Sequence, residues 1–309
     1  MRILQNWCNK LYASVLWNGL LGNIFPILCG VRQGGVLSPL LFSVYVDDLI
    51  RELHLSGYGA YVCNLFVETI FYADDICLMS DSCFGLQKLL DICSDYSLKW
   101  DILFNPTKSS FHFGGSNPSA SLHLRGKDLN WSCKVKYLGI YLVAGSGFRI
   151  ELNAAKQKYY ACFNNIRSVV RQQVNEIMLL KLVKTYCLPR LLYGCEIWPR
   201  EAIDMKELNV MWNNGFRHIF NCCWRESVKP LQYFCQSLPL LYLIEERQMI
   251  FLNKLLYSDN CILRTLACRH SVQYEILGLA SKYGLNTVQN SKSMVKDAIW
   301  TCFKHEVHF

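Results

Sequence analysis

The sequence predicts an α+β protein whose first half carries antiparallel strand pairs with packed helices and whose remainder is helical. Three observations point there. Residues 66–80 place two β-forming apolar runs on either side of Asp74-Asp75, the pattern of strand, tight turn and strand. Val135 to Leu142 is a second β-rich run, with Gly139 inside it suggesting a bulge or a close backbone approach. From Glu151 onward the apolar spacing turns helical almost throughout.

In order along the chain, Ile3, Leu4, Trp7, Leu11 and Val15 fall near helical spacing and predict an amphipathic helix over 3–17. Residues 18–31 read as a glycine-punctuated turn with short strands. The paired glycines 34 and 35 suit close approach of backbone to a ligand. Ser38-Pro39 is a good helix start, and Leu41, Val44, Tyr45 and Leu49 continue that helix. Asp47 and Asp48 lie within it and read as surface or packing acids. After the Asp74-Asp75 hairpin, Leu86, Leu89, Leu90, Cys93, Ser97 and Trp100 mark a helix that ends before Asn105-Pro106. Phe111 to Gly114 reads as a strand and Arg125-Gly126 as a turn. In the helical region Ala155, Tyr159, Cys162, Phe163, Ile166 and Val170 share one face, while Lys156, Tyr160, Asn164, Arg167 and Arg171 form a polar stripe. Leu241 to Leu256 is a further helix, with Pro230 and Pro239 as breaks.

Composition narrows the function classes. The chain has 309 residues, enough for two or three packed units, and 52% hydrophobic with 13% aromatic residues excludes a disordered tail. Net charge is +8, which favours a polyanionic partner. Eight Lys/Arg against two Glu lie between Arg149 and Arg190, so most of that excess sits on one helical unit. Such a concentration serves phosphate-backbone binding or is a solvated basic face. The 16 cysteines include no C-x-x-C pair and read as reduced, buried thiols rather than zinc ligands. Residues 11–31 carry no charge, but three glycines, two asparagines and Pro26 break the run, so a membrane segment and a signal peptide are not expected.

Two adjacent carboxylates repel each other unless a cation neutralises them, and oxygen-only ligands suit Mg²⁺. Asp74-Asp75 is therefore either half of a metal site or a polar hairpin tip.

Four motifs stand in series: Gly30-Val31-Arg32-Gln33-Gly34-Gly35-Val36-Leu37-Ser38-Pro39, Phe71-Tyr72-Ala73-Asp74-Asp75, Asn105-Pro106-Thr107-Lys108 and Tyr137-Leu138-Gly139. In order and spacing they resemble the reverse transcriptases of non-LTR (LINE-like) retrotransposons, and the run Leu191 to Trp198 looks like that family too. The resemblance implies part of a right-hand polymerase: palm over 1–143, helical thumb over 144–198, and a helical region of unknown role over 199–309. It implies Asp74 and Asp75 as catalytic and metal-binding groups, with Mg²⁺, or Mn²⁺ in its place, activating the primer 3′-hydroxyl. Arg32, Gln33, Gly34 and Lys108 would contact nucleotide and template. Tyr137, Leu138 and Gly139 would hold the primer, and Lys156, Arg167 and Arg171 would follow the duplex. The implied partners are an RNA template, a DNA primer and deoxynucleoside triphosphates, in the nucleus or cytoplasm.

Such polymerases use a further metal-binding aspartate upstream of the Gln-Gly motif. Here the first acidic residue is Asp47, so the expectation is a C-terminal polymerase fragment that is inactive alone. The other reading is a non-catalytic nucleic-acid-binding remnant that keeps the basic helices.

Overall fold

The computed structural model describes residues 5–6, 10–28, 34–62, 64–111, 121–143, 149–170, 174–199, 203–285 and 290–307. It is mixed α and β, with small sheets ahead of a long helical stretch. The chain divides into two compact units, residues 1–108 with 120–129, and residues 109–119 with 130–309.

The first unit opens on two nested ladders. β1 (Tyr12–Ala13) pairs with β4 (Phe25–Pro26), and β2 (Leu16–Trp17) pairs with β3 (Leu20–Leu21), both antiparallel. Between β2 and β3 sit Asn18 and Gly19 at φ 47° and 80°. That dipeptide accepts positive φ at both turn positions, which matches the twist of flanking strands. The helix expected over 3–17 therefore does not form across 12–17. The apolar residues there met a helical template, but Asn18-Gly19 closes a hairpin that the template ignores. Among the described residues no helix is long and apolar enough to cross a membrane.

Helix α1 (Ser38–Leu55) starts with proline in its first turn and buries Val46, Leu49 and Leu53. Of the residues that marked this helix in the sequence, Leu49 is buried while Leu41, Val44 and Tyr45 are exposed. Asp47 and Asp48 are exposed on this helix, as surface acids. Two hairpins follow: β5 (Ala60–Val62) with β6 (Leu65–Val67), and β7 (Thr69–Tyr72) with β8 (Asp75–Leu78). Helix α2 (Cys83–Trp100) is capped by the Ser82 side chain, which accepts from the Gly85 N–H at 3.1 Å, and stops at Asp101 in the left-handed conformation. It buries Leu89, Leu90, Cys93 and Tyr96 and packs against α1, where the Tyr96 hydroxyl donates to the Tyr45 carbonyl at 2.8 Å.

Strand β9 (Ser110–Phe111) meets the strand expected at 111–114 at Phe111 alone, and 112–114 lie outside the described residues. β10 (His123–Leu124) and β11 (Lys127–Asp128) form the hairpin around Arg125-Gly126, and β12 (Asn130–Trp131) pairs parallel with β9.

In the second unit β13 (Lys134–Tyr137), β14 (Ile140–Val143) and β15 (Arg149–Glu151) make one antiparallel sheet in that order. Leu138 and Gly139 are the two-residue turn joining the first pair. The glycine thus marks a reversal rather than a bulge within one strand, and the close approach that the sequence also suggested is present, since a Cβ there would lie 3.1 Å from the Tyr193 ring. Helices α3 (Asn153–Val170), α4 (Glu176–Tyr186) and α5 (Leu188–Leu191), a 3₁₀ turn at Cys195–Ile197, α6 (Ile203–Phe220), α7 (Lys229–Phe234) and α8 (Leu240–Leu256) follow. They share one core: Tyr159, Phe163, Val183, Leu191, Leu208, Trp212, Phe216 and Ile244 are buried together. Helices α9 (Cys261–Ala267), α10 (His270–Lys282) and α11 (Lys292–Val307) pack on the other side of α8 around Tyr242, Met249, Val295, Ile299 and Phe303.

Candidate functional site

Asp74 and Asp75 sit at the apex of the β7–β8 hairpin. Ala73 takes φ 53°, and Tyr72 stands opposite Asp75 in register. Side chains alternate across a strand, so Ile70, Tyr72, Asp75 and Cys77 share one face while Thr69, Phe71, Ile76 and Leu78 share the other. Helix α1 packs against β7. Tyr72, Ala73, Asp74 and Asp75 are all exposed. The turn thus projects two oxygen donors into solvent from a supported hairpin. That donor set fits a hard divalent cation that keeps several of its waters. Among the described residues no cluster of three or more His, Cys, Asp or Glu completes a metal-binding set.

Gly34 is described at φ 77° with open space around it, whereas Arg32 and Gln33 lie outside the described residues. Lys108 is exposed and ends a compact turn. There the Asn105 side-chain oxygen accepts from the Thr107 N–H at 3.0 Å and from its hydroxyl at 2.7 Å, and the Lys108 N–H donates to the Asn105 carbonyl at 3.2 Å. This is the local turn chemistry of asparagine, and it fixes the backbone that carries the lysine.

The structure joins two motifs that lie far apart in sequence. The Tyr193 hydroxyl donates to the Leu138 carbonyl at 2.7 Å. A Cβ placed on Gly139, whose φ is 83°, meets the Tyr193 ring at 3.1 Å, and one placed on Gly194 meets Ile140 Cδ1 at 2.5 Å. The Tyr137-Leu138-Gly139 turn is therefore seated against the Leu192-Tyr193-Gly194 corner, with a glycine at positive φ on both sides of the contact, where a methyl would make the Tyr193 ring or the Ile140 side chain give way. Sequence reasoning noted both motifs separately; no spacing signal pairs them.

The basic stripe is divided by its partners. Lys156 pairs with Glu207 of α6 at 2.5 Å. Arg167 is exposed and lies over the Phe163 ring, 6.0 Å from its centroid. Arg171 lies outside the described residues. Lys184 donates to the carbonyls of Cys235 and Gln236 at 3.1 and 3.2 Å, and burial pushes its ammonium below the ordinary lysine value. Several cysteines are buried, and desolvation pushes the Cys93, Cys187 and Cys195 thiols up to about 12, the behaviour of inert core thiols.

With this geometry in view, residues 1–142 match the family model described as reverse transcriptase (RNA-dependent DNA polymerase). Those residues are similar in sequence to that family. Relatives agree. A probable RNA-directed DNA polymerase from transposon BS of Drosophila melanogaster is 31% identical over 208 residues, 62% of this chain and 22% of that protein. The RNA-directed DNA polymerase from mobile element jockey of Drosophila funebris is 25% identical over 231 residues, 71% of this chain and 25% of that protein. The Pol polyprotein from type-1 retrotransposable element R2 of Popillia japonica is 27% identical over 223 residues, 68% of this chain and 35% of that protein. The resemblance to reverse transcriptases of non-LTR retrotransposons thus holds, and these alignments reach past residue 142 into the helical unit. The chain spans between about a fifth and about a third of the length of these curated relatives.

Proposed function

We propose that this chain is the part of an RNA-directed DNA polymerase that presents one side of the metal site and handles the primer–template duplex. The observation that carries this reading is the supported, solvent-facing apex at Asp74 and Asp75, within the segment that matches the family. In this reading residues 1–143 serve as palm and 144–198 as thumb.

Asp74 and Asp75 fit a Mg²⁺ ion, which when bound supplies positive charge to the primer 3′-oxygen and the leaving pyrophosphate. The residues of this chain then bind and orient. Lys108, exposed at the end of a fixed turn, offers its ammonium to the triphosphate. Gly34, with Arg32 and Gln33 before it, lines the path of template and nucleotide. The Leu138-Gly139 turn supports the primer end, held from behind by Tyr193. Arg167 and Arg171 follow the duplex phosphates, whereas Lys156 spends its charge on Glu207.

Nucleotidyl transfer needs acidic ligands beyond this pair, and the described residues do not gather them. In this reading the chain alone binds an RNA–DNA hybrid but does not extend a primer. The test is a primer-extension assay with Mg²⁺ and deoxynucleotides, run beside a hybrid-binding titration. Templated synthesis by the chain alone refutes the incomplete site, and absent or salt-independent hybrid binding refutes the duplex role.

A further inference from the structure

Beside the Leu138-Gly139 turn lies a cavity of about 30 Å³, lined among others by Gly139, Ile140, Glu151, Lys158, Arg190 and Tyr193. That room matches about two waters, or the two free oxygens of a phosphodiester, and is far too small for a nucleobase or a sugar.

Partners of the surrounding cations decide which of them are available. Lys134 is engaged by Glu151 and also lies over Tyr141, 4.6 Å from the ring centroid. Lys156 is engaged by Glu207 at 2.5 Å. Lys158 and Arg190 are exposed, and among the described residues neither has an ion-pair or hydrogen-bond partner. Lys158 stands on α3 and Arg190 on α5, two elements packed together, so two uncommitted cations border one small cavity. The acid among its lining residues, Glu151, already has its charge matched by Lys134. An anion entering here meets net positive charge from two directions, and the guanidinium fork suits a pair of phosphate oxygens.

We propose that Lys158 and Arg190 together bind one backbone phosphate of a nucleic-acid strand passing the Leu138-Gly139 turn. This rests on the reading above that the second unit holds a primer–template duplex. It adds a site that the sequence did not single out, since neither residue lies on the stripe of Lys156, Arg167 and Arg171.

The test is fluorescence anisotropy with a labelled RNA–DNA hybrid, titrated between about 50 and 200 mM salt, for wild type, K158Q, R190Q and the double variant. Both side chains are exposed, so circular dichroism should show unchanged folding. The double variant is expected to lose roughly tenfold in affinity at 0.1 M salt and to lower the slope of log K against log salt by about one, the signature of one phosphate. The single variants should be non-additive, because either cation alone half-serves the same group. An unchanged slope in the double variant overturns the site. So does a slope lowered by about two with additive single losses, which means two separate contacts. If inorganic phosphate binds the wild type through these residues while hybrid affinity ignores them, the strand assignment is overturned in favour of a free-phosphate site. Failure of the wild type to bind any hybrid overturns the parent reading instead.

Discussion

Replacing Gly139 by alanine isolates the seating of the turn. The backbone there holds φ 83°, and the new methyl arrives 3.1 Å from the Tyr193 ring. Left-handed backbone costs a non-glycine residue about 1–2 kcal/mol. Moving the ring also breaks the hydrogen bond from the Tyr193 hydroxyl to the Leu138 carbonyl, worth about 0.5–1.5 kcal/mol. The sum is a loss of about 1.5–3.5 kcal/mol. Gly284 provides the comparison within the same unit, since its φ is 63° and a Cβ there meets nothing within 4 Å. G284A should cost only the backbone part, about 1–2 kcal/mol. Urea unfolding followed by tryptophan fluorescence measures both, with the m-value as a check that the unfolded state is unchanged. Y193F alone should cost about 0.5–1.5 kcal/mol, and in the G139A background it should cost almost nothing, because the bond is already broken. The reasoning fails if G139A is no worse than G284A, or if Y193F costs the same in both backgrounds.

Other expectations follow from the same structure. D74N and D75N should abolish Mn²⁺ binding measured by electron paramagnetic resonance while changing stability by no more than about 0.5 kcal/mol, because both residues are exposed; retained binding in D74N would place the metal elsewhere. F303A should cost about 3–5 kcal/mol, since this ring is fully buried in the core around α11; a much smaller loss would mean that this core is loosely packed. At Glu306 burial pushes the carboxyl up, but hydrogen bonds from Lys229 and Tyr242 outweigh it and hold the group below its ordinary value. A depressed carboxylate stabilises the fold above its unfolded pKa, about 4.3, and that contribution is lost as pH falls through the lower folded value. E306Q should therefore flatten the decline in stability below about pH 4, read from melting curves across pH.

Some of this was legible in short stretches of sequence. The Asp74-Asp75 hairpin, the helix after Ser38-Pro39, the helix over Leu86 to Trp100 and the Arg125-Gly126 turn depend on local periodicity and turn chemistry, which a few residues encode. The N-terminal stretch departs from its helical spacing because Asn18 and Gly19, just downstream, take positive φ and close a hairpin. The buried face of α1 was not legible locally. Leu49 is buried with Val46 and Leu53, whereas Leu41 and Val44 are exposed and Tyr45, also exposed, meets Trp100 and Tyr96 of α2, and local spacing does not show which residues the neighbouring helix covers.

The sequence by itself determined which groups exist and which stand adjacent: two carboxylates at one turn, a glycine at another, an excess of positive charge after residue 148. Tertiary structure decided which of those groups are free. Lys156 and Lys158 are two residues apart and alike in sequence, yet one is engaged by Glu207 and the other borders an open cavity with Arg190. Tyr193 meets a carbonyl 55 residues away. Coulomb attraction and hydrogen bonding fall off over a few ångströms in space, and no pattern along the chain records which residues folding brings within that range.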